Sequence, residues 1–214
     1  PELTMFTDGK SVKDHLDAEE LQRLEAGLKE RGLALGAVAK MKPWILASFV
    51  ALPACELSRK AAGASFLDKQ IAEDAVAADK PVAGLETLVE QLEAMADLPV
   101  DFHFKALIET IELGDEMEDV IETMTELYLA GDIGMTMPLL KVVAPTAAGE
   151  DESAYAAFET RIVRDRNLVM AEGSKQHLEK GNAFIAVGAL HLPGEEGLVE
   201  LIRSQGYTVT RIDG

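Results

Sequence analysis

Two ionisable side chains, Glu86 and His191, follow short apolar runs that are typical of buried parallel strands. Glu86 comes directly after Lys80–Leu85, and His191 follows Ala183–Val187 through a turn that begins at Gly188. In open parallel sheets, ligands bind beyond the carboxyl ends of the strands. A carboxylate and an imidazole at that edge could ligate a divalent ion, or act as general base and acid. Both residues are therefore candidate catalytic groups or metal ligands.

Arg166 and Asn167 are the next candidates, because they form an adjacent pair of polar side chains on a predicted helix. The commoner role of such an arginine is at the surface, with an ion-pair partner such as the neighbouring Asp165. The functional interpretation is that Arg166 reaches the sheet edge and holds an oxyanion or a substrate carboxylate, with Asn167 beside it. On this interpretation Arg166 is both catalytic and substrate-binding.

Non-functional roles have to be weighed for the first pair as well. A lone histidine in a loop is usually exposed to solvent, and a glutamate before a helix usually helps to cap it. The remaining histidines lack a companion at metal-ligand spacing, and we interpret them as surface or packing residues: His15, His103 and His177. A phosphate loop, a dinucleotide glycine pattern, a nucleophile elbow and a CxxC pair are all missing from the sequence.

Composition limits the classes of partner. The 214 residues carry a net charge of −18, which argues against nucleic acid and anionic membrane surfaces but leaves small anionic ligands open. Charge or proline interrupts every apolar stretch, so no transmembrane segment is predicted. The 48% apolar content suffices for one core, so we predict a single domain over 1–214. Cys55, the only cysteine, lies in an apolar run, which favours a buried structural thiol.

Several helices can be located from capping and periodicity. Capping boxes are predicted at Asp17 with Glu20, and at Thr87 with Glu90. The apolar run Trp44–Leu57 predicts a buried helix that is interrupted at Pro53. A long helix is predicted over Ala154–Lys180, closed by Gly181. The segment Ala144–Ser153 is the clearest predicted loop.

The last part of the chain predicts a strand–loop–helix–strand unit. Ala183–Val187 is the first strand, Gly188 and Gly194 bound a structural loop, Glu195–Gln205 is the helix and Tyr207–Ile212 is the second strand. Strands separated by helices indicate the α/β class. We therefore predict a parallel-containing sheet flanked by helices, helix-rich, with a helical insertion over 96–182.

Four segments together resemble the TraB/GumN family, which groups with the TIKI, erythromycin-esterase and ChaN-like proteins. The main one is FIAVGALHLPGEEGL at 184–198, with QGYTV at 205–209. The others are KPVAGLET at 80–87, Arg166-Asn167 with Met170, and the weaker Lys42-Pro43-Trp44. They occur in order from Lys42 to the end, which is more specific than any one motif.

The resemblance implies an α/β fold whose site uses two Gly-x-x-His motifs and a glutamate. It implies divalent-metal-dependent peptidase activity, with an ion of the Mn, Co or Zn class. His191 corresponds to the second Gly-x-x-His, Glu86 to the glutamate and Arg166 to the arginine. It also suggests an extracytoplasmic location in bacteria. A peptide or another small molecule would be the substrate.

One departure from that family pattern is large. No Gly-x-x-His precedes Glu86, and Pro1–Leu33 shows no strand pattern. We expect from this that the sequence lacks the opening strand and the first histidine. Metal affinity would then be weak. The unpaired edge of the sheet would favour self-association.

A non-enzymatic role is the alternative. The chain could bind or sequester a peptide or another ligand without turnover, and as a fragment it could be inactive. Haem, which the ChaN-like branch binds, is disfavoured because candidate axial tyrosines are scarce: Tyr128, Tyr155 and Tyr207.

Overall fold

The structure is a computed structural model that describes residues 1–143 and 152–212. The described residues are mainly helical. The α-helices are α1 (Ala18–Glu30), α2 (Leu35–Val38), α3 (Pro43–Val50), α4 (Ala54–Ala61), α5 (Leu67–Ala77), α6 (Leu88–Ala96), α7 (Val100–Leu113), α8 (Glu116–Ala130), α9 (Thr136–Val143), α10 (Glu152–Glu159), α11 (Asp165–Lys180) and α12 (Leu198–Ser204). Short 3₁₀ turns cover Val12–Asp14, Ile133–Met135 and Ala189–His191, and a π-helix covers Thr160–Arg164.

Both predicted capping boxes are confirmed. The Asp17 side chain accepts hydrogen bonds from the first turn of α1, and the Glu20 side chain accepts one from the Asp17 N–H. At α6, the Glu90 N–H donates to the Thr87 hydroxyl, and the Thr87 N–H donates to the Glu90 carboxylate at 2.7 Å. Each box satisfies backbone donors that a helix start would otherwise leave without partners.

The predicted helix boundaries at proline and glycine are confirmed too. The apolar run Trp44–Leu57 divides into α3 and α4 around Pro53, which cannot donate a backbone hydrogen bond. The helix α11 ends at Gly181, whose φ of 72° is a conformation that side chains with a Cβ rarely adopt. Cys55, however, is exposed, so its prediction as a buried thiol is wrong.

The predicted parallel sheet is wrong. Within residues 1–143 and 152–212 the only β-type pairing is an isolated antiparallel bridge between Met5 and Met41. The three predicted strands, Lys80–Leu85, Ala183–Val187 and Tyr207–Ile212, have no regular secondary structure. The predictions of an α/β class, a parallel crossover and an exposed sheet edge depend on these strands and are therefore also wrong.

The physical reason lies in the hydrogen bonds that define a strand. A short apolar run can indicate a local preference for extended backbone, but a strand also needs a ladder to a neighbouring segment. The run at 183–187 has the half-buried alternation of a strand, with Ile185 and Val187 turned partly inward. Phe184 nevertheless remains 79% exposed, and the described residues supply no ladder partner.

Two separate hydrophobic clusters replace the single core around a sheet. The larger one joins α1, α2, α3 and α7, with fully buried side chains at Leu24, Leu28, Leu46 and Leu107. The smaller one consists of Met170, Ala171 and Leu198, with Leu85, Val187 and Leu201 packed against it. The smaller cluster fixes α11 against α12, and it is beside this cluster that the predicted site residues lie.

Most of the described residues of 96–182 lie in helices joined by short turns, and the status of this stretch as an insertion stays a prediction. The predicted loop Ala144–Ser153 lies outside the described residues except for its last two, which begin α10. None of the described helices is both long and apolar enough to span a bilayer.

Candidate functional site

Helix α11 supplies the central pair of the site. Arg166 and Asn167 lie in its first turn, and its buried face continues through Met170, Ala171 and Ser174. The π-helix Thr160–Arg164 leads directly into it. A π-helix shifts the hydrogen-bond register of a helix and is frequent at functional sites. Asn167 lies on the packed side of the helix, with 1% of its surface exposed.

Glu86 meets Arg166 in a bidentate ion pair. Nε of Arg166 lies 3.0 Å from Oε1 of Glu86, and Nη2 lies 2.9 Å from Oε2. The carboxylate side chain is 4% exposed and the guanidinium side chain 23%. Arg166 also donates from Nη1 to the Ile162 carbonyl at 3.4 Å. Both oxygens of this buried carboxylate are thus neutralised by one cation, as planar Arg–carboxylate geometry favours.

A glycine on α11 lets the Glu86 segment come close. A Cβ added at Gly173 would lie 3.2 Å from the Leu85 carbonyl oxygen, tighter than ordinary packing. Gly173 follows Arg166 by seven residues, two helical turns along the same face. The missing side chain therefore allows the backbone before Glu86 to pack on the helix within reach of Arg166.

His191 lies in the 3₁₀ turn Ala189–His191 and not at the end of a strand. The backbone N–H of His191 donates to the Gly188 carbonyl at 2.9 Å, which closes that turn. Gly194 has a φ of 87°, and Gly197 is so tightly packed that an added Cβ would overlap the carbonyl oxygens of Leu192 and Pro193. The segment from Gly188 to Gly197 consists of this 3₁₀ turn followed by bends and turns, and Gly197 is its most tightly packed glycine.

Asn167 fixes the orientation of the His191 ring. Nδ2 of Asn167 donates to the Glu196 carbonyl at 2.8 Å, so Oδ1 is the atom that faces Nδ1 of His191, at 2.7 Å. An amide oxygen can only accept, and Nδ1 must therefore carry the proton. In the neutral ring, this leaves the lone pair on Nε2.

Burial lowers the pKa of His191, and the nearby Arg166 guanidinium lowers it further. The Glu86 carboxylate and the Val163 backbone carbonyl act in the opposite direction. The imidazole is therefore neutral around pH 7, because its pKa falls below the ordinary value near 6.5. A neutral ring with a fixed proton on Nδ1 is the form that can act as a base or a metal ligand through Nε2.

The described residues do not complete a binding site for the divalent ion that the resemblance implies. Among them, no group of three or more His, Cys, Asp or Glu side chains is arranged to hold a metal. Both oxygens of Glu86 accept hydrogen bonds from the Arg166 guanidinium, whose charge would repel a divalent ion there, so Glu86 and His191 together offer at most two ligands. Three protein ligands are usual at a catalytic zinc ion. This donor set does not fit.

The structure thus brings together the four predicted site residues, which we call the polar cluster: Glu86, Arg166, Asn167 and His191. The four residues form two pairs. Each pair includes one of two adjacent residues of α11, and neither pair lies at the edge of a sheet. Sequence reasoning missed the Glu196 carbonyl, Gly173 and Gly197. A glycine inside a predicted helix can indicate close backbone approach, and Gly173 carried that signal.

Comparison with known proteins gives one result. A sequence model described as TraB/PrgY/gumN family matches residues 1–211 of this chain. The match includes the first forty residues, which lie before the segments that carry the resemblance. No curated protein and no solved structure matches the chain.

Proposed function

The chain belongs to the TraB/PrgY/gumN family, and we propose that it is a hydrolase of the peptidase type centred on His191. The observation that carries the proposal is the hydrogen bond between Asn167 and His191. It fixes the proton on Nδ1 in a buried setting, and the pKa of the ring is lowered. General bases in hydrolases need this combination of a fixed tautomer and a free nitrogen lone pair.

In the proposed reaction, Nε2 of His191 takes a proton from water as the water oxygen attacks the carbonyl carbon of a peptide bond. The tetrahedral oxyanion accepts hydrogen bonds from the N–H groups of Arg166 that Glu86 and Ile162 leave available. The C–N bond then breaks, and His191 returns the proton to the departing amine. Glu86 acts as a positioning residue that holds the Arg166 guanidinium.

The divalent ion does not enter these steps, because the described donor set does not fit it. Any ion of the Mn, Co or Zn class that binds would take Nε2 of His191 as a ligand and would polarise water. Whether the ion takes part in the reaction is therefore tested separately, by assays with and without added ion. Activity that requires added ion would mean that further ligands complete the site.

The experiment measures cleavage of a fluorescence-quenched peptide library, with EDTA or with added Mn²⁺, Co²⁺ or Zn²⁺. We expect His191→Ala to lower turnover by at least about 10²-fold, the usual contribution of a general base. The matched control is His177→Ala, which removes a histidine from the helix that carries Asn167. This variant should retain native turnover. Circular dichroism confirms that each variant is folded.

A second candidate function is ligand binding without turnover. The observation that favours it is the closed Glu86–Arg166 pair, since a buried carboxylate with both oxygens bound is not available as an acid or base. Peptide binding by the native chain with no cleavage in any ion arm would support this candidate and reject the hydrolase. Cleavage that persists in His191→Ala would also reject the proposed role of His191.

A further inference from the structure

A cavity of about 360 Å³ lies away from the polar cluster, between the first residues of the chain and the starts of α3 and α7. We call it the aromatic pocket. Its walls include Phe6, His15, Lys42, Trp44, Leu98 and His103. No member of the polar cluster lines it. Its volume and its mostly apolar walls suit a small organic ligand.

Backbone pairing builds one wall. The bridge between Met5 and Met41 brings the first segment beside the start of α3. The Phe6 N–H donates to the Lys40 carbonyl at 2.8 Å, and the Lys42 N–H donates to the Thr4 carbonyl at 2.9 Å. The wall is therefore held by main-chain hydrogen bonds and does not depend on side-chain conformations alone.

Stacked rings give the pocket its aromatic character. The His15 ring lies between Phe6 and Phe104, with centroid distances of 5.2 and 5.0 Å and nearly parallel planes. Trp44 contributes an indole to the same lining. Flat rings on the walls favour a planar ligand, because offset stacking adds to the area that is buried.

Two polar atoms of these wall residues have no partner. Within the part of the chain that the structure describes, Nε1 of Trp44 and Nε2 of His15 are buried without a hydrogen bond. An indole N–H can only donate, and burying it without an acceptor is unfavourable. Both atoms are enclosed by protein, so neither is a contact point for a ligand in the pocket.

Two acidic residues and two lysines line the pocket. Lys42 lines it and has no ion-pair partner among the described residues, and its charge also acts on His103. Lys10 is paired with Asp8 at 3.9 Å, and both side chains are more than half exposed. Glu2 is exposed as well. The acidic groups therefore lie at the solvent side, and Lys42 is the unpaired cation.

From the unpaired lysine and the stacked rings, we propose that the aromatic pocket binds a small aromatic carboxylate. The carboxylate accepts hydrogen bonds from the Lys42 ammonium, and the ring lies against the aromatic wall. This ligand need not be a substrate of the polar cluster, so the inference does not rest on the proposed hydrolase activity.

The test uses Trp44 itself, which is the only tryptophan in the sequence and therefore reports on this pocket alone. Phenylacetate and its neutral isostere phenylacetamide are titrated while Trp44 emission is recorded. We expect a saturable change with phenylacetate, and at least about tenfold weaker binding of phenylacetamide, since hydrogen bonds to charged groups are the stronger ones. Lys42→Met should remove the preference for the acid.

Two variants control for folding and for general charge effects. Lys42→Arg keeps the cation and should keep the preference for phenylacetate. Lys60→Met removes an exposed lysine at the end of α4 and should behave as the native chain does. The proposal is overturned if phenylacetate gives no saturable change, if the acid and the amide bind equally, or if Lys42→Met retains the preference.

Discussion

Nδ1 of His191 and Oδ1 of Asn167 lie 2.7 Å apart, and this buried hydrogen bond joins helix α11 to the loop Gly188–Gly197. The Glu196 carbonyl completes the arrangement by accepting from the Asn167 amide at 2.8 Å. One side chain therefore satisfies two groups of that loop at once. Its position in the first turn of α11 also places it next to the ion pair between Arg166 and Glu86.

Asn167→Ala should destabilise the fold as well as release the His191 ring. The change leaves the buried N–H of His191 and the partly buried Glu196 carbonyl without their partner, and the loss at a buried group costs about 1–3 kcal/mol. We expect the free energy of unfolding, measured with urea, to fall by at least about 2 kcal/mol. Gln22→Ala, which removes an exposed amide from α1, is the control. An equal loss in both variants would contradict the role given to Asn167.

The ion pair between Glu86 and Arg166 gives the second prediction. Glu86→Gln removes the charge that balances a mostly buried guanidinium, and breaking a buried pair costs about 3–5 kcal/mol. The double variant Glu86→Leu with Arg166→Met removes both charges and should recover much of that loss. Urea unfolding of Glu86→Leu, of Arg166→Met and of the double variant measures the coupling. Additive losses would show that the two side chains do not depend on each other.

How much of the fold the sequence predicts depends on how local the signal is. The capping boxes at Asp17 and Thr87, the break at Pro53 and the stop at Gly181 each involve residues within one helical turn, and all are confirmed. The strand at Ala183–Val187 required a partner from elsewhere in the chain. Alternation of apolar residues cannot supply that information.

The candidate site also depends on contacts between distant residues, which the local sequence does not reveal. From the sequence, Glu86 and His191 were predicted to face the same bound ligand, because each follows a predicted strand. In the structure they pair with different partners, Arg166 and Asn167, through contacts that span 80 and 24 residues. Which carboxylate neutralises which cation depends on packing around Gly173, where a glycine inside a helix was the only hint.

A pH prediction follows from His103, whose Nε2–H donates to the Met95 carbonyl at 2.9 Å. Burial lowers the pKa of His103, Lys42 lowers it further and the Met95 carbonyl opposes them. The unfolded chain therefore takes up a proton before the folded one does as the pH falls. The free energy of unfolding should decrease as the pH drops below about 6.5, and should level off below the folded pKa.

His103→Gln tests this dependence, because an amide can still donate to Met95 but does not titrate. We expect urea unfolding of the variant to lose less stability per pH unit than the native chain below neutral pH. His191, whose pKa is also lowered by burial, contributes in the same direction and leaves part of the slope in place. A slope that is unchanged from the native chain would rule out His103 as a contributor.

The final prediction concerns Gly197, which lies directly before α12. A Cβ there would overlap the carbonyl oxygens of Leu192 and Pro193, and both belong to rigid backbone of the loop that carries His191. Gly197→Ala should therefore displace the loop and lower the midpoint of thermal unfolding. Gly36→Ala is the matched control, since Gly36 lies in α2 with open space around it. There the substitution should stabilise by about 0.5–1 kcal/mol through helix propensity.

NMR distinguishes a displaced loop from a general loss of stability. In the native chain the Asn167 side-chain amide and the His191 imidazole should give resonances shifted by their mutual hydrogen bond. Gly197→Ala should move both towards the values of exposed groups at temperatures where the helices are still folded. If both resonances stay in place, the close packing at Gly197 does not hold His191 on Asn167.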